Sequence, residues 1–264
     1  LKDIMSGHKI KPAPLLLSIS GQLVFPRFVK LPPVTKDKML QMIRYEAEQN
    51  VPFPIDELVW DYQLIGDASE GEQNAMIVAA KNENVSEVMA AVMSAGLEPV
   101  LIDVAPMALY NCVRFNYPEA DECSLIVDIG ARSTNLVFME EGRFFSRCIP
   151  VAGNIITQDI AKSFQIEFRA AEALKRQCAF VALGGVFAAA SDEQTDRVSK
   201  MVRNVVTRLH AEISRSINFY RSQQGGSVPT RLFLTGGSSV MPYMDTFFKD
   251  KLRAQTEHIN PFQN

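Results

Sequence analysis

The sequence predicts an α/β fold, from short strands that alternate with amphipathic helices and from two glycine turns that each follow an apolar strand. The first turn is Asp128-Ile129-Gly130 after Ser124 to Val127. The second is Leu234-Thr235-Gly236-Gly237-Ser238-Ser239 after Arg231 to Leu234. A glycine there lets the backbone turn with positive φ and come close to a ligand. Exposed N–H groups at such turns, and at the start of a following helix, make phosphate seats. Between the turns, Glu172-Ala173-Leu174-Lys175 puts a carboxylate and an ammonium three residues apart, on one face of a helix. Two glycine turns with a bipolar helix face between them point to a nucleotide held in a cleft.

The elements follow in order. Leu15 to Ser20 and Leu23 to Leu31 read as two strands joined at Gly21-Gln22 and ended by Pro32-Pro33. Pro26 makes the second an edge strand, because it cannot donate to a ladder. Thr35 reads as an N-cap, and Met39, Leu40, Ile43 and Ala47 give Lys36 to Gln49 a helical period that Pro52 and Pro54 close. Trp60 to Ile65 and Asn74 to Ala80 are strands around a polar loop, Asp67 to Gln73. Val85 to Ala95 is a helix closed by Gly96, with Val85, Val88, Met89, Val92 and Met93 as its buried face. Pro99 to Asp103 is a strand, and Ala105 to Phe115 a helix leading to a boundary at Asn116-Tyr117-Pro118.

The second half opens on three strands, Ser124 to Asp128, Thr134 to Met139 and Phe144 to Pro150, the last two joined by Glu140-Glu141-Gly142. A helix from Asn154 to Phe164 follows. An insertion from about Phe168 to Pro229 carries a long helix with Val198, Val202, Val205, Leu209, Ile213, Ile217 and Tyr220 on one core stripe. Arg231 to Leu234 resumes the sheet, and Met241 to Leu252 is its covering helix.

Composition narrows the function classes. A chain of 264 residues, 47% hydrophobic and 22% charged, can bury a substantial core. The net charge of −3 and the dispersed Lys and Arg argue against nucleic acid as the partner. Cys112, Cys123, Cys148 and Cys178 lack metal spacing and read as small core residues, and His8, His210 and His258 are scattered, so a reducing cytoplasm is expected. The longest apolar run, Cys178 to Ala190, falls short of the roughly twenty residues of a spanning helix. No signal peptide is visible, and the opening Leu1 leaves room for residues in front.

Singly, each motif has a plainer reading. Asp-x-Gly turns mostly connect hairpins, Gly-Gly also ends strands, and Glu-x-x-Lys is most often a solvated pair. Their order changes the weighing: an Asp-x-Gly hairpin, a third strand, a helix, an insertion with Glu-x-x-Lys, a strand, Gly-Gly and a helix.

That order resembles the second half of the actin, Hsp70 and sugar-kinase superfamily, and within it the PilM family of type IV pilus assembly proteins, which is FtsA-like. The stretches that carry the resemblance are SLIVDIGARSTNLVFMEEGRFFSRCIPVAGN, TQDIAKSF, AEALKR and RLFLTGGSSVMPYMD, with EAEQNVPFPIDELVWDYQLIG and GLEPVLIDVAPMALYN earlier. It covers nearly the whole chain, and Pro52-Phe53-Pro54 followed by Asp61-Tyr62 favours PilM over FtsA. The resemblance implies an actin-like ATPase fold of ribonuclease H-like lobes around a nucleotide cleft. Residues 1–30 with 105–120 would form the large subdomain of the first lobe and 31–104 its small, FtsA-placed one. Residues 121–167 with 230–264 would form the large subdomain of the second lobe and 168–229 its small one.

The same resemblance implies site roles. Asp128 would approach a nucleotide's magnesium through water. Gly130, Ser133, Thr134 and Asn135 would surround the phosphates of ATP, with Gly153 and Asn154 near the terminal one, Ala152 standing where the family usually has a glycine. Glu172 and Lys175 would face ribose and adenine, and Gly236, Gly237 and Ser238 would line the nucleoside. Arg132 stands where such chains more often have a small or hydroxyl residue, and pairing with phosphate or pointing to solvent both remain open for it. The family's first phosphate-binding hairpin has no counterpart ahead of Leu15 to Ser20, so an incomplete first lobe is expected. The Asn260-Pro261-Phe262 ending resembles the family's last core segment.

The implied function is a cytoplasmic scaffold of type IV pilus or related secretion assembly, peripheral to the inner membrane. It would couple ATP state to the cytoplasmic tail of a PilN-like membrane protein, with self-association left open. As an enzyme it would be at most a slow ATPase, since no residue stands out as a general base. A nucleotide-free adaptor of the same fold and a small-molecule kinase stay open as rivals. The kinase would need an aspartate base beside a hydroxyl substrate.

Overall fold

The computed structural model describes every residue except 12, 33, 34, 66–72, 120, 121, 142 and 184–191, together with the side chains of Lys36 and Asp37. Pro33, Gly142, most of the Asp67–Gln73 loop and the end of the Cys178–Ala190 run therefore lie outside the described residues. The chain divides into two compact units, Leu1–Ala108 and Leu109–Asn264.

In the first unit a short helix, α1 (Lys2–Gly7), precedes β1 (Leu15–Ile19). A 3-10 turn at Gly21–Leu23 leads into β2 (Val24–Leu31). The hairpin expected between these strands does not form. β1 pairs in parallel with β5 (Pro99–Val104), while β2 pairs antiparallel with β4 (Gln73–Lys81), whose other neighbour is β3 (Leu58–Ile65). A two-residue hairpin turn needs positive φ, and Gly21 does not adopt it. Val29 and Leu31 of β2 instead pack with Ala75 and Ile77 of β4 and with Ile43 and Ala47 of α2 (Lys36–Asn50). Pro26 does lie on an edge strand, since β2 borders the three-stranded sheet. Between β4 and β5 runs α3 (Asn82–Ser94), and Gly96 turns the chain after it at φ +78. Its buried face is narrower than expected: Val92 is buried, but Met93 beside it is 61% exposed because its position on the last turn points outward. α4 (Ala105–Asn116) runs across the division between the units.

The second unit is organised by a five-stranded mixed sheet, ordered β10-β9-β6-β7-β8. β6 (Ser124–Ile129), β7 (Thr134–Glu140) and β8 (Arg143–Ile149) form an antiparallel meander. β9 (Arg231–Thr235) then lies parallel to β6, with Ser124 opposite Arg231 and Asp128 opposite Thr235. β6 and β7 are buried on both faces along most of their length, which accounts for their nearly continuous apolar sequence. The polar edge strand β10 (Gln255–His258) carries no apolar period and was not legible in the sequence.

α5 (Gly153–Phe164) and α6 (Phe168–Cys178) pack against one another, and α7 (Glu193–Gln223) runs beside them. The Asp192 side chain caps α7 by accepting from Thr195 N at 2.8 Å. The predicted stripe is core: Val198, Val202, Val205, Leu209, Ile213 and Tyr220 are buried, with Ile217 packed at the margin. At the end of α7 the Tyr220 ring stacks on Phe138 at 4.6 Å, and its hydroxyl donates to Glu140 Oε2. The last helix, α8 (Met244–Leu252), begins later than expected. Pro242 disfavours helical backbone before it, and Tyr243 takes φ +66, so the first helical turn starts only at Met244.

Candidate functional site

Two strand ends place the first part of the site. Asp128, next to last in β6, lies opposite Asn135 of β7 and Thr235 of β9, so their side chains share a row across the sheet. The Asn135 amide donates to Asp128 Oδ2 at 2.8 Å, fixing the carboxylate. Asn135 Oδ1 is buried with no hydrogen-bond partner among the described residues. Such a group costs about 1–3 kcal/mol; what it achieves locally is an oriented carboxylate. Cys148 continues the row on β8; burial, seconded by the Asp128 charge, pushes its thiol upward despite a hydrogen bond with Ser133.

Beyond Asp128 the chain turns at Gly130 without the positive φ expected there, which among Gly130, Gly236 and Gly237 only Gly236 adopts; at Gly130 a Cβ would instead lie 2.9 Å from Ser133 O. Gly130 N donates to Ser133 O at 3.0 Å. The Gly130 carbonyl accepts from Gly153 N and from Ser238 Oγ, each at 3.0 Å, and Asn154 N donates to Ala131 O at 2.7 Å. Ser238 N donates to Ile129 O at 2.9 Å. The loop is thus pinned between the first turn of α5 and the glycine turn after β9. Thr134 is fully buried, and its hydroxyl donates to Val151 O at 2.7 Å, tying β7 to the chain that enters α5.

The glycines are not equivalent. Gly236 has φ +86, and a Cβ on it would lie 2.5 Å from Asp128 Oδ1 and 2.6 Å from Ile129 O. On Gly153 a Cβ would fall on the Ser238 hydroxyl, whereas at Gly237 it would meet none of the described residues within 4 Å. Gly236 and Gly153 therefore serve close approach of backbone to protein, while Gly237 faces outward.

The second part of the site joins α5 to α6. Lys175 Nζ lies 2.6 Å from Glu172 Oε2 and also donates to Thr157 Oγ1 at 2.8 Å and to Gly153 O at 3.3 Å. Thr157 Oγ1 lies 2.6 Å from Glu172 Oε2, to which it donates, and Arg176 Nε donates to Glu172 Oε1 at 3.1 Å. The solvated-pair reading does not hold: the Lys175 side chain is 11% exposed and that of Glu172 27%. Burial would raise the Glu172 carboxyl, but hydrogen bonds from Lys175, Thr157 and Arg176 outweigh it and hold the group at about 2. Glu172 is thus a fixed anion.

A cavity of about 450 Å³ opens here, lined on one side by Asn154, Glu172, Lys175 and Arg176 and on another by Val240, Met241 and Pro242. Of the residues expected from the sequence, Asn154, Glu172, Lys175, Gly237 and Ser238 line it together. Asp128, Gly130, Ser133, Thr134, Asn135, Gly153 and Gly236 do not line it but build the frame behind. Arg132 is exposed. Sequence reasoning missed Thr157 and Arg176. Both were within reach of helical spacing, as Thr157 lies one turn after Gly153 and Arg176 one turn after Glu172.

The donors fit a nucleotide in kind. An apolar wall facing a wall of fixed charges is the usual make-up of a small-molecule pocket. Asp128 offers a hard carboxylate oxygen suited to magnesium, which with phosphate ligands and retained waters needs only one or two carboxylates. Among the described residues no three His, Cys, Asp or Glu gather into a metal cluster, and no described helix is long and apolar enough to cross a membrane.

Comparisons with known proteins bear on the whole chain. The family model for type IV pilus assembly protein PilM matches residues 1–264. A solved structure described as a PilM-PilN type IV pilus biogenesis complex superposes with a TM-score of 0.83 at 30% identity, over 99% of this chain and 74% of that one. MreB5 of Spiroplasma citri bound to AMPPNP matches with a TM-score of 0.53 at 19% identity, over 68% of this chain and 60% of that one. The same protein bound to ADP gives 0.54 at 19%, over 70% and 63%. The fold is accordingly actin-like.

Proposed function

The chain belongs to the PilM family of type IV pilus assembly proteins, and from that premise we propose that it is an ATP-binding scaffold of pilus assembly that engages a PilN-like membrane protein. The observation that carries the nucleotide half is the cavity wall of Glu172, Lys175, Gly237 and Ser238, set beside the pinned Asp128–Gly130 turn. Lys175 and Glu172 would address ribose and base, Gly237 would lie against the nucleoside, and Asp128 would act on the hydration shell of a magnesium ion that accompanies the phosphates. The ion would supply charge neutralisation there. The residues of this chain orient and hold.

Turnover would be slow. No residue in the sequence stands out as a general base, and stabilised charge without a positioned attacking water gives little rate. The partner half rests on the likeness to a complex that contains PilN. An extended cytoplasmic tail would dock on residues 31–104, gaining main-chain hydrogen bonds and side-chain pockets. Residues 31–104 would be a small subdomain beside a larger one of 1–30 with 105–120. Residues 168–229 would play that part beside 121–167 with 230–264. The protein would sit on the cytoplasmic side of the inner membrane through its partner.

Calorimetric titration with magnesium-ATP and with a synthetic PilN-type tail tests both halves. Binding of each is expected. Tail binding without any ATP binding would make the protein a nucleotide-free adaptor. Unchanged tail binding after removal of 31–104 from a protein that stays folded would move the partner site elsewhere.

A further inference from the structure

The Lys175 ammonium is matched by the protein around it. It has three N–H donors and no acceptor, and three protein oxygens surround it: Glu172 Oε2 at 2.6 Å, Thr157 Oγ1 at 2.8 Å and Gly153 O at 3.3 Å. Two of these oxygens belong to α5 and one to α6, and the side chain is only 11% exposed although the residue lines the cavity. Glu172 is placed differently. Its Oε2 is held by Lys175 and by the fully buried Thr157, whereas Oε1 accepts from Arg176 alone among the described residues. A carboxylate oxygen takes two donors, so Oε1 keeps room for a further donor beside the arginine. Glu172 also lines the cavity, and its side chain is 27% exposed.

Resting on the reading of this cavity as a nucleotide site, and refining it, we propose that Lys175 is a positioning residue that reaches the ligand only through Glu172. Its ammonium ties α6 to α5 and fixes the carboxylate by Oε2, which leaves Oε1 for the sugar hydroxyls. A hydroxyl donating there forms a charge-assisted bond, and Arg176 need not move for it to form. Such a bond depends on orientation as well as on charge. Without Lys175 the carboxylate keeps its charge but loses part of its hold. The lysine therefore sets how strongly the site prefers a hydroxyl-bearing sugar, without a ligand contact of its own.

The test compares ATP with 2′,3′-dideoxy-ATP. They carry the same base and phosphates, so the effect of a removed charge on either cancels in the ratio of their dissociation constants, dideoxy over ribo. Lys175→Met keeps an unbranched stem and a good helix former. The wild-type ratio is expected to exceed about ten, the worth of one charge-assisted bond, and to fall at least about threefold in Lys175→Met. In a Glu172→Gln background the same substitution should leave the ratio within about twofold, because the group it acts through has lost its charge. Thr157→Val, at a site too buried to touch a ligand, is the reference for pure positioning and should show the same pattern. Lys175→Gln, which keeps two N–H donors, takes the same cycle should Lys175→Met fail to fold or to bind. A ratio unchanged by the loss of Lys175, or one that falls as far in the Glu172→Gln background as in wild type, overturns the proposal, since Lys175 would then touch the ligand itself. A wild-type ratio near one overturns it too and leaves the nucleotide site standing. Failure of wild type and variants alike to bind either ligand overturns the nucleotide reading, and this inference with it.

Discussion

Gly236 and Asp128 stand so close that a Cβ on the glycine would lie 2.5 Å from the carboxylate Oδ1. The glycine's φ of +86 is also one that side chains rarely adopt. Gly236→Ala should therefore strain the turn and push Asp128 out of its bond with Asn135, at about 1–3 kcal/mol of stability. A lowered urea midpoint with an unchanged m-value would show it.

Gly237, one residue on, should behave oppositely. A Cβ there meets no atom of the described residues within 4 Å, and the residue lines the cavity. Gly237→Val is expected to leave the urea midpoint nearly unmoved while weakening ATP at least about tenfold, or 1.4 kcal/mol. Near-wild-type affinity would mean that the nucleoside does not lie against this turn.

Asp128→Ala separates magnesium from nucleotide. If the carboxylate acts on the ion's hydration shell, magnesium-ATP should weaken much more than ATP in the presence of a chelator. Equal losses in the two titrations would leave Asp128 with the turn alone.

Glu172 gives a pH signature. Its folded-state value, about 2, lies below the ordinary 4.5, so the ion-paired carboxylate contributes stability that is full above about pH 4.5. That contribution fades as the pH falls toward 2. Urea midpoints of wild type and Glu172→Gln, measured across that window, should differ most at its upper end and converge at its lower end. A constant gap would show that the variant's effect is steric.

The second unit was far more legible in the sequence than the first. Its strands are buried on both faces, so they read as nearly unbroken apolar runs, and its glycine turns follow them directly. The heptad-like stripe on α7 and the shared helix face of Glu172 and Lys175 follow from geometry that the sequence displays. The expected hairpin of β1 and β2 does not form because adjacency along the chain does not dictate pairing: a single 3-10 turn at Gly21–Leu23 is enough to send the strands to different sheets. The polar edge strand β10 and the late start of α8 depended on Tyr243 backbone geometry and edge pairing that leave no hydrophobic period. Within the site, the residue types were visible but not their division of labour. Only three-dimensional placement separates Thr134, turned inward to Val151, from Ser238, which lines the cavity.

The parallel register of β6 with β9 sets an order of events in folding. Ser124 and Arg231 are partners, yet roughly a hundred residues of chain must be gathered before they meet, and closing so long a loop is entropically slow to be rewarded. The β6-β7-β8 meander needs only short turns and can form first. Gly237 and Ser238 follow β9, so the cavity is complete only once β9 has paired, a step expected to come late. A ligand that fills it would then slow unfolding while leaving the early refolding phase untouched, a kinetic asymmetry written into the strand order itself.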